Sequence, residues 1–246
     1  ESRSSKLASE ARREAERKID SHTEVLDEKI LDVFHKAGSE STTIEDVKEF
    51  SPFHWVIEFA PVYATGGFDV VIGNPPWDKL KAERDDYFPR FDESFRFRPP
   101  AEKDAKEQEL LENETIAEGW EEYQERLEKK MRYFTDGSHY DLLSPEVKGK
   151  QVAAENNLSA IFLERTFTLA KDGGYVAQVL PNVIFNGSSM KDLRLKMVNE
   201  GDVKSLVGFE NKGIFDSIDD RFRFTVAVFC NGGYTEKLPC IFEQHD

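Results

Sequence analysis

Residues 67–80 read GFDVVIGNPPWDKL. The apolar run Phe68–Gly73 is broken at once by Asn74, Pro75, Pro76 and Trp77. Two prolines remove two backbone donors and fix φ, so they end a strand abruptly. A run this short and this apolar suits a buried strand covered on both faces, as in parallel α/β sheets. In open α/β sheets, ligands sit beyond the carboxyl ends of the strands, and Asn74 stands at such an end. Its side-chain oxygen accepts a hydrogen bond, and the carbonyl of Pro75 accepts another. Neither proline offers a competing donor. The product is a small cradle of acceptors, suited to an amino group that must donate two hydrogens.

Trp77 adds a flat face beside the cradle. A planar ring bearing an exocyclic amine can stack there while its amine sits among the acceptors. Adenine satisfies both demands. Its amine lone pair is delocalised into the ring, and accepting both N–H groups favours a pyramidal nitrogen with that pair freed. Catalysis of this kind rests on electrostatic preorganisation and needs no strong general base.

Outward from this stretch, strands and helices alternate. Downstream, QVAAENNLSAIFLERTFTLAKDGG predicts an amphipathic helix ended by Gly173 and Gly174. GYVAQVLP predicts a strand ended by Pro181, and NGSSMKDLRLKMVNEGD a turn, a Ser-capped helix and a Gly stop. VKSLVGFE and RFRFTVAVFC predict two more strands, with the last pairing open to an antiparallel hairpin. The pattern is α/β with a mixed, mostly parallel sheet. Upstream, residues 3–36 predict a long charged helix with a weak apolar stripe, and TTIEDVKEF a short helix capped at Thr43. The expected division is a charged helical segment over 1–50 and a domain over 51–246. A helical insertion occupies about 78–150 of that domain. Its middle, residues 101–130, carries eleven acidic and five basic residues around Leu110, Leu111, Ile116, Trp120, Tyr123 and Leu127. That suits amphipathic helices with a solvated face.

Composition bounds the rest. The 246 residues carry a net charge of −15, which repels phosphate at long range and argues against strong non-specific nucleic-acid binding by this chain alone. A local basic groove remains compatible with it. FPRFDESFRFRPP, residues 88–100, alternates Arg90, Arg96 and Arg98 with Phe91, Phe95 and Phe97. That alternation suits either a nucleic-acid groove or a loop packing its aromatics inward. Cys230 and Cys240 give neither a disulfide framework nor a zinc pattern, and read as two small core residues in a reducing cytoplasm. His54 reads as a packed histidine. No metal site is expected, and no apolar run reaches membrane-spanning length. The charged N-terminus has no signal-peptide core and no initiator Met, which fits a fragment or a processed chain.

FDVVIGNPPW resembles the catalytic motif of S-adenosylmethionine-dependent amino-methyltransferases, above all the N6-adenine DNA methyltransferases. PFHWVIEFAPVYATGG resembles the lead-in of large fused restriction–modification methyltransferases. The resemblance continues through ENNLSAIFLERTFTLAKDGGYVAQVLP, LRLKMV and VGFENKGIF…FTVAVF, over roughly residues 51–235. It implies a partial Rossmann-like methyltransferase fold. Asn74, Pro75, Pro76 and Trp77 would form the catalytic motif, with Asn74 and Pro75 holding the target amine. Trp77 and Phe215 would stack on an adenine flipped out of double-stranded DNA. Phe162, with Asn74, would lie against S-adenosylmethionine. Phe215 equally suits a core position, and the apolar face of the helix bearing Phe162 equally suits ordinary packing. The family's Gly-rich cofactor loop and ribose-binding acidic residue have no match here. The resemblance places them upstream of the motif, which makes an upstream part of the same protein an expected partner. Methylation of guanine in RNA, methylation of a protein glutamine, and a catalytically silent assembly fragment are the competing readings.

Overall fold

The computed structural model describes residues 3–136, 140–143, 146–147, 150–151, 157–216 and 218–244. Five strands form one mixed sheet: β1 Phe68–Gly73, β2 Ala170–Pro181, β3 Gly201–Glu210, β4 Arg223–Asn231 and β5 Cys240–Gln244. Their spatial order is β1-β2-β4-β3-β5. β1 runs parallel to β2 and β5 parallel to β3, while β4 is antiparallel to both β2 and β3. The sheet is mixed as expected, with two parallel and two antiparallel pairings rather than a parallel majority. The register sets Gly73 opposite Gln178, Pro181 opposite Phe224 and Glu210 opposite Arg223. The carboxyl ends of β1, β2 and β3 therefore meet the start of β4 along one margin of the sheet.

The helices are α1 Arg3–Lys36, α2 Ile44–Glu49, α3 Pro100–Leu111, α4 Glu114–Thr135, α5 Leu158–Leu169 and α6 Lys191–Asn199, besides shorter turns. α5 and α6 cover one sheet face. Ala160, Ile161, Leu163, Leu193 and Met197 pack there against Val176, Leu180, Val203, Leu206, Ala227 and Phe229. Thr43 caps α2 as its sequence predicts, accepting from the Asp46 amide at 3.2 Å while the Asp46 carboxylate accepts from the Thr43 amide at 2.8 Å. Those hydrogen bonds hold the Asp46 carboxyl below its ordinary value. α1 is tied to the segment before β1 by a hydrogen bond between His54 Nε2 and Asp27 Oδ1 at 2.8 Å, both side chains nearly buried. His54 is thus a packed histidine.

Several local expectations are corrected. α5 does not run to Gly173–Gly174, and residues 152–156 of the expected helix lie outside the described residues. The helix starts at Leu158, where the Asn157 side chain accepts from the Ser159 amide at 2.9 Å. It stops at Leu169, where the side-chain Nδ2 of Asn231 donates to the carbonyls of Phe167 and Ala170, at 3.2 and 2.8 Å. The glycines permit close backbone approach instead. A Cβ on Gly174 would lie 2.8 Å from the Phe68 carbonyl oxygen, and one on Gly67, at φ +122°, would lie 2.7 Å from that of Leu169. No serine caps α6. A 3₁₀ turn, Ser188–Met190, leads into it, and Arg194 Nη1 donates to the carbonyls of Ile184 and Gly187 at 3.0 and 2.7 Å. Cys230 is half-buried, but Cys240 on β5 is exposed rather than a core residue. Nor is β1 buried on both faces. It is an edge strand, with Val71 packed toward α5 while Val70 and Ile72 are 51% and 78% exposed.

The insertion leaves and returns at a single point. Lys79 bridges Asn157, and the Leu158 amide donates to the Asp78 carbonyl at 3.0 Å. Between them, Tyr87, Phe88 and Phe95 are buried against Leu110, Leu111, Ile116, Trp120 and Tyr123 of α3 and α4. This gives the insertion a small core of its own. Of the alternating Arg/Phe run, Phe95 turns inward, while Phe91 and Phe97 are exposed. Arg96 pairs with Asp86 at 3.0 Å and Arg98 with Asp92 at 2.9 Å, so these two guanidiniums are already engaged by carboxylates. Among the described residues no helix is long and apolar enough to cross a membrane, and no His/Cys/Asp/Glu cluster could hold a metal ion.

Candidate active site

The residues after β1 leave the sheet at its carboxyl margin without regular structure. Asn74 and Pro76 are exposed, Pro75 is buried and Trp77 is half-buried. The double proline explains the abrupt exit, since neither residue can donate to a ladder. Trp77 is then pinned. Its indole Nε1–H donates to the Val179 carbonyl on β2 at 3.1 Å. Its ring stacks on Phe222 at 5.3 Å and 12°, meets Phe224 at 5.8 Å and touches Phe215 edge-on at 5.4 Å and 82°. Phe209 on β3 stacks on Phe224 at 5.3 Å, extending the aromatic patch across the sheet margin. Asn74 therefore projects beside a tryptophan held on several sides.

Trp77 and Phe215 are thus brought together, but in direct edge-to-face contact. They frame no open slot, and a base entering between them requires the Phe215 loop to yield. That loop is organised by Asn211, a fully buried residue that the sequence did not single out. Its Nδ2 donates to the carbonyls of Phe215 and Ile218 at 3.0 and 2.6 Å, and its Oδ1 accepts from the Phe215 amide at 2.8 Å. Its backbone amide donates to the Phe222 carbonyl at 2.8 Å, closing the turn. The available signal was Asn at the end of a strand ahead of Gly213, a residue type that bonds local backbone.

Phe162 lies on α5, one turn beyond Leu158, whose amide anchors Asp78 just past the motif. It is 48% exposed, so it is not packed into the core as the apolar-helix reading allows. Glu164, two residues on, points the other way. Its Oε1 accepts from the Leu142 amide at 3.3 Å, while its buried Oε2 has no hydrogen-bond partner. Burial pushes its carboxyl up to about 7. A cavity of about 410 Å³ is lined by Phe167, Asp172, Lys196, Glu200 and Asn231. These residues sit at the opposite sheet margin, away from Asn74.

The profile of the Eco57I restriction-modification methylase family matches residues 5–100 and 123–215. Over 45 residues, 18% of this chain and 4% of the relative, the sequence is 40% identical to a Methanocaldococcus jannaschii protein described as a candidate type II restriction enzyme and methyltransferase. Among solved structures, a subunit of a type I restriction–modification assembly overlays 73% of this chain and 24% of its own, with TM-score 0.40 and 15% identity. A Listeria monocytogenes protein, described as a candidate class I S-adenosylmethionine-dependent methyltransferase, overlays 72% of this chain and 37% of its own, with TM-score 0.36 and 12% identity. The chain spans well under two thirds of each of these proteins. With the family profile matching more than half of its residues on both sides of α3, the chain belongs to the Eco57I restriction-modification methylase family.

Proposed function

We propose that this chain carries the amine-binding half of an adenine-specific DNA methyltransferase that uses S-adenosylmethionine. The observation that carries the reading is Asn74. It is an exposed carboxamide at the carboxyl end of β1, followed by two donor-free prolines and by a Trp77 fixed to Val179. Asn74 Oδ1 and the Pro75 carbonyl accept the two N–H groups of the target amine, which localises the nitrogen lone pair. Trp77 and Phe215 contact the extruded base, with the Phe215 loop yielding to admit it. The proton leaves to water afterwards.

S-adenosylmethionine, when bound, supplies the electrophilic methyl carbon. The half-exposed ring of Phe162 and the exposed carboxamide of Asn74 would hold one side of it. The glycine-rich loop that the family resemblance implies is to come from polypeptide outside these residues. Membership in a restriction–modification family supports double-stranded DNA as the substrate.

The test takes the polypeptide extended upstream, incubates it with S-adenosylmethionine and unmethylated DNA, and digests the product to nucleosides. N6-methyladenine that disappears in Asn74→Ala supports the assignment. Modification of RNA guanine or protein glutamine instead, or turnover retained by Asn74→Ala, overturns it.

A further inference from the structure

Among the described rings that meet Trp77, Phe222 alone lies flat on it. It stacks at 5.3 Å and 12°, whereas Phe224 is tilted by 31° and Phe215 stands at 82°. Phe222 therefore covers the indole as a base would, plane on plane. Its surroundings set it apart from Phe224, which is 4% exposed and also stacks on Phe209 at 17°. Phe222 is 37% exposed, so its ring has solvent beside it. Its backbone is tied on both sides. The Phe222 amide donates to the Asp219 carbonyl at 2.9 Å, and its carbonyl accepts from the Asn211 amide at 2.8 Å. The next carbonyl, of Arg223, accepts from the Asn182 amide at 3.0 Å. The ring can thus leave Trp77 by turning about its own side-chain bonds while the start of β4 stays in place. The indole is the fixed partner, held by Val179.

We infer that Phe222 is a placeholder for the extruded base: it covers the face of Trp77 that the base takes, and it swings into solvent when the base arrives. The inference rests on the base-stacking role of Trp77 proposed above and adds a residue to it. Phe215 does not suit this part. It stands nearly perpendicular to the indole, and its amide is bonded to the Asn211 side chain at 2.8 Å. In the exchange one flat ring replaces another. Both are held on the indole by dispersion and apolar burial, so the two stacked states are close in free energy. That balance has a consequence for selectivity. The ring competes with the base for one face, and its stacking is subtracted from every binding event. A base that only stacks gains little over Phe222. A base whose amine also reaches the Asn74 and Pro75 acceptors displaces it.

The test titrates the 246-residue chain with a short single-stranded oligodeoxynucleotide carrying one 2-aminopurine, read by the quenching of that base on stacking. A single strand spares the unpairing cost of a duplex. 2-Aminopurine has no amine at C6, so the signal reports stacking and not the Asn74 cradle. Phe222→Ala should lower Kd about two- to tenfold by removing the competitor. Phe222→Leu, which keeps bulk without a flat face, should do the same, so a loosened fold cannot imitate the result. Phe222→Trp should raise Kd. Weaker binding by Phe222→Ala and Phe222→Leu overturns the inference and makes the ring part of the clamp; an unchanged Kd overturns it too. Trp77→Ala added to Phe222→Ala should abolish the quenching. Quenching that is absent from Phe222→Ala, or that survives the loss of Trp77, overturns the stacking role of Trp77 itself and the inference with it, a failure distinct from the first.

Discussion

The indole N–H of Trp77 donates to the carbonyl of Val179 at 3.1 Å, joining residues 102 positions apart in the sequence. This bond ties the residues that follow Asn74 to the neighbouring strand β2. Trp77→Phe keeps an aromatic ring but removes the donor. It should cost about 1 kcal/mol, or about 2–4 °C in Tm for a chain of this size. Methyl transfer should fall further than stability does, which a melting curve and a turnover assay on the same variant will separate.

Asn74 is exposed at the end of β1. Asn74→Ala should therefore leave the unfolding free energy within about 0.5 kcal/mol of the parent's. In the upstream-extended polypeptide it should lower kcat by about two to three orders of magnitude, the loss associated with a missing preorganised partner of the reacting group. Circular dichroism melts alongside single-turnover rates measure both.

Asn211 should behave in the opposite way. It is fully buried and serves Phe215 and Ile218 at once. Removing its carboxamide leaves several buried polar groups without partners, at about 2–3 kcal/mol. Asn211→Ala should lower the midpoint of urea unfolding and release the Phe215 loop. Limited proteolysis between residues 211 and 222 reports the release.

Glu164 makes stability depend on pH. Burial raises its carboxyl to about 7 in the folded chain, above the unfolded value of 4.5. Between those values the folded state holds the proton and the unfolded state does not. The contribution is thus complete below the unfolded value and is lost as pH rises through about 7. Glu164→Gln should flatten the Tm profile between pH 5 and pH 8, with the larger gain at pH 8. A profile parallel to the parent's would refute this origin.

Phe88 sits at the centre of the insertion's aromatic cluster, in contact with Tyr87, Phe95 and Trp120. Phe88→Ala should cost that cluster about 3–5 kcal/mol. The damage should stay local. Amide exchange should accelerate through α3 and the first half of α4 while the central amides of β2 and β4 stay protected.

The strands β1 to β4 were legible because each is an apolar run punctuated by proline or glycine. The Asn-Pro-Pro-Trp exit was legible because its chemistry is local. β5 was not seen, since CIFEQ is five residues long and gains its register only from β3. The alternation of Phe91, Phe95 and Phe97 left two readings open because 3₁₀ turns at Phe88–Arg90 and Phe95–Phe97, which no local pattern announces, bury Phe95 and expose the other two. An extended chain would have aligned them. The Trp77–Val179 bond and the pinning role of Asn211 depend on which strands become neighbours, and no window of sequence encodes that. The exposure of Val70 and Ile72 was likewise invisible, because an apolar strand reads the same whether or not its neighbours are present.

The insertion departs at Asp78–Lys79, returns at Asn157–Leu158 and closes its own core in between. The family profile skips residues 101–122, almost all of α3 and the opening turns of α4. The Asn74 margin of the sheet thus carries a self-contained cassette. Its length and content can change through one fixed doorway while the sheet and its Asn74 exit keep their geometry.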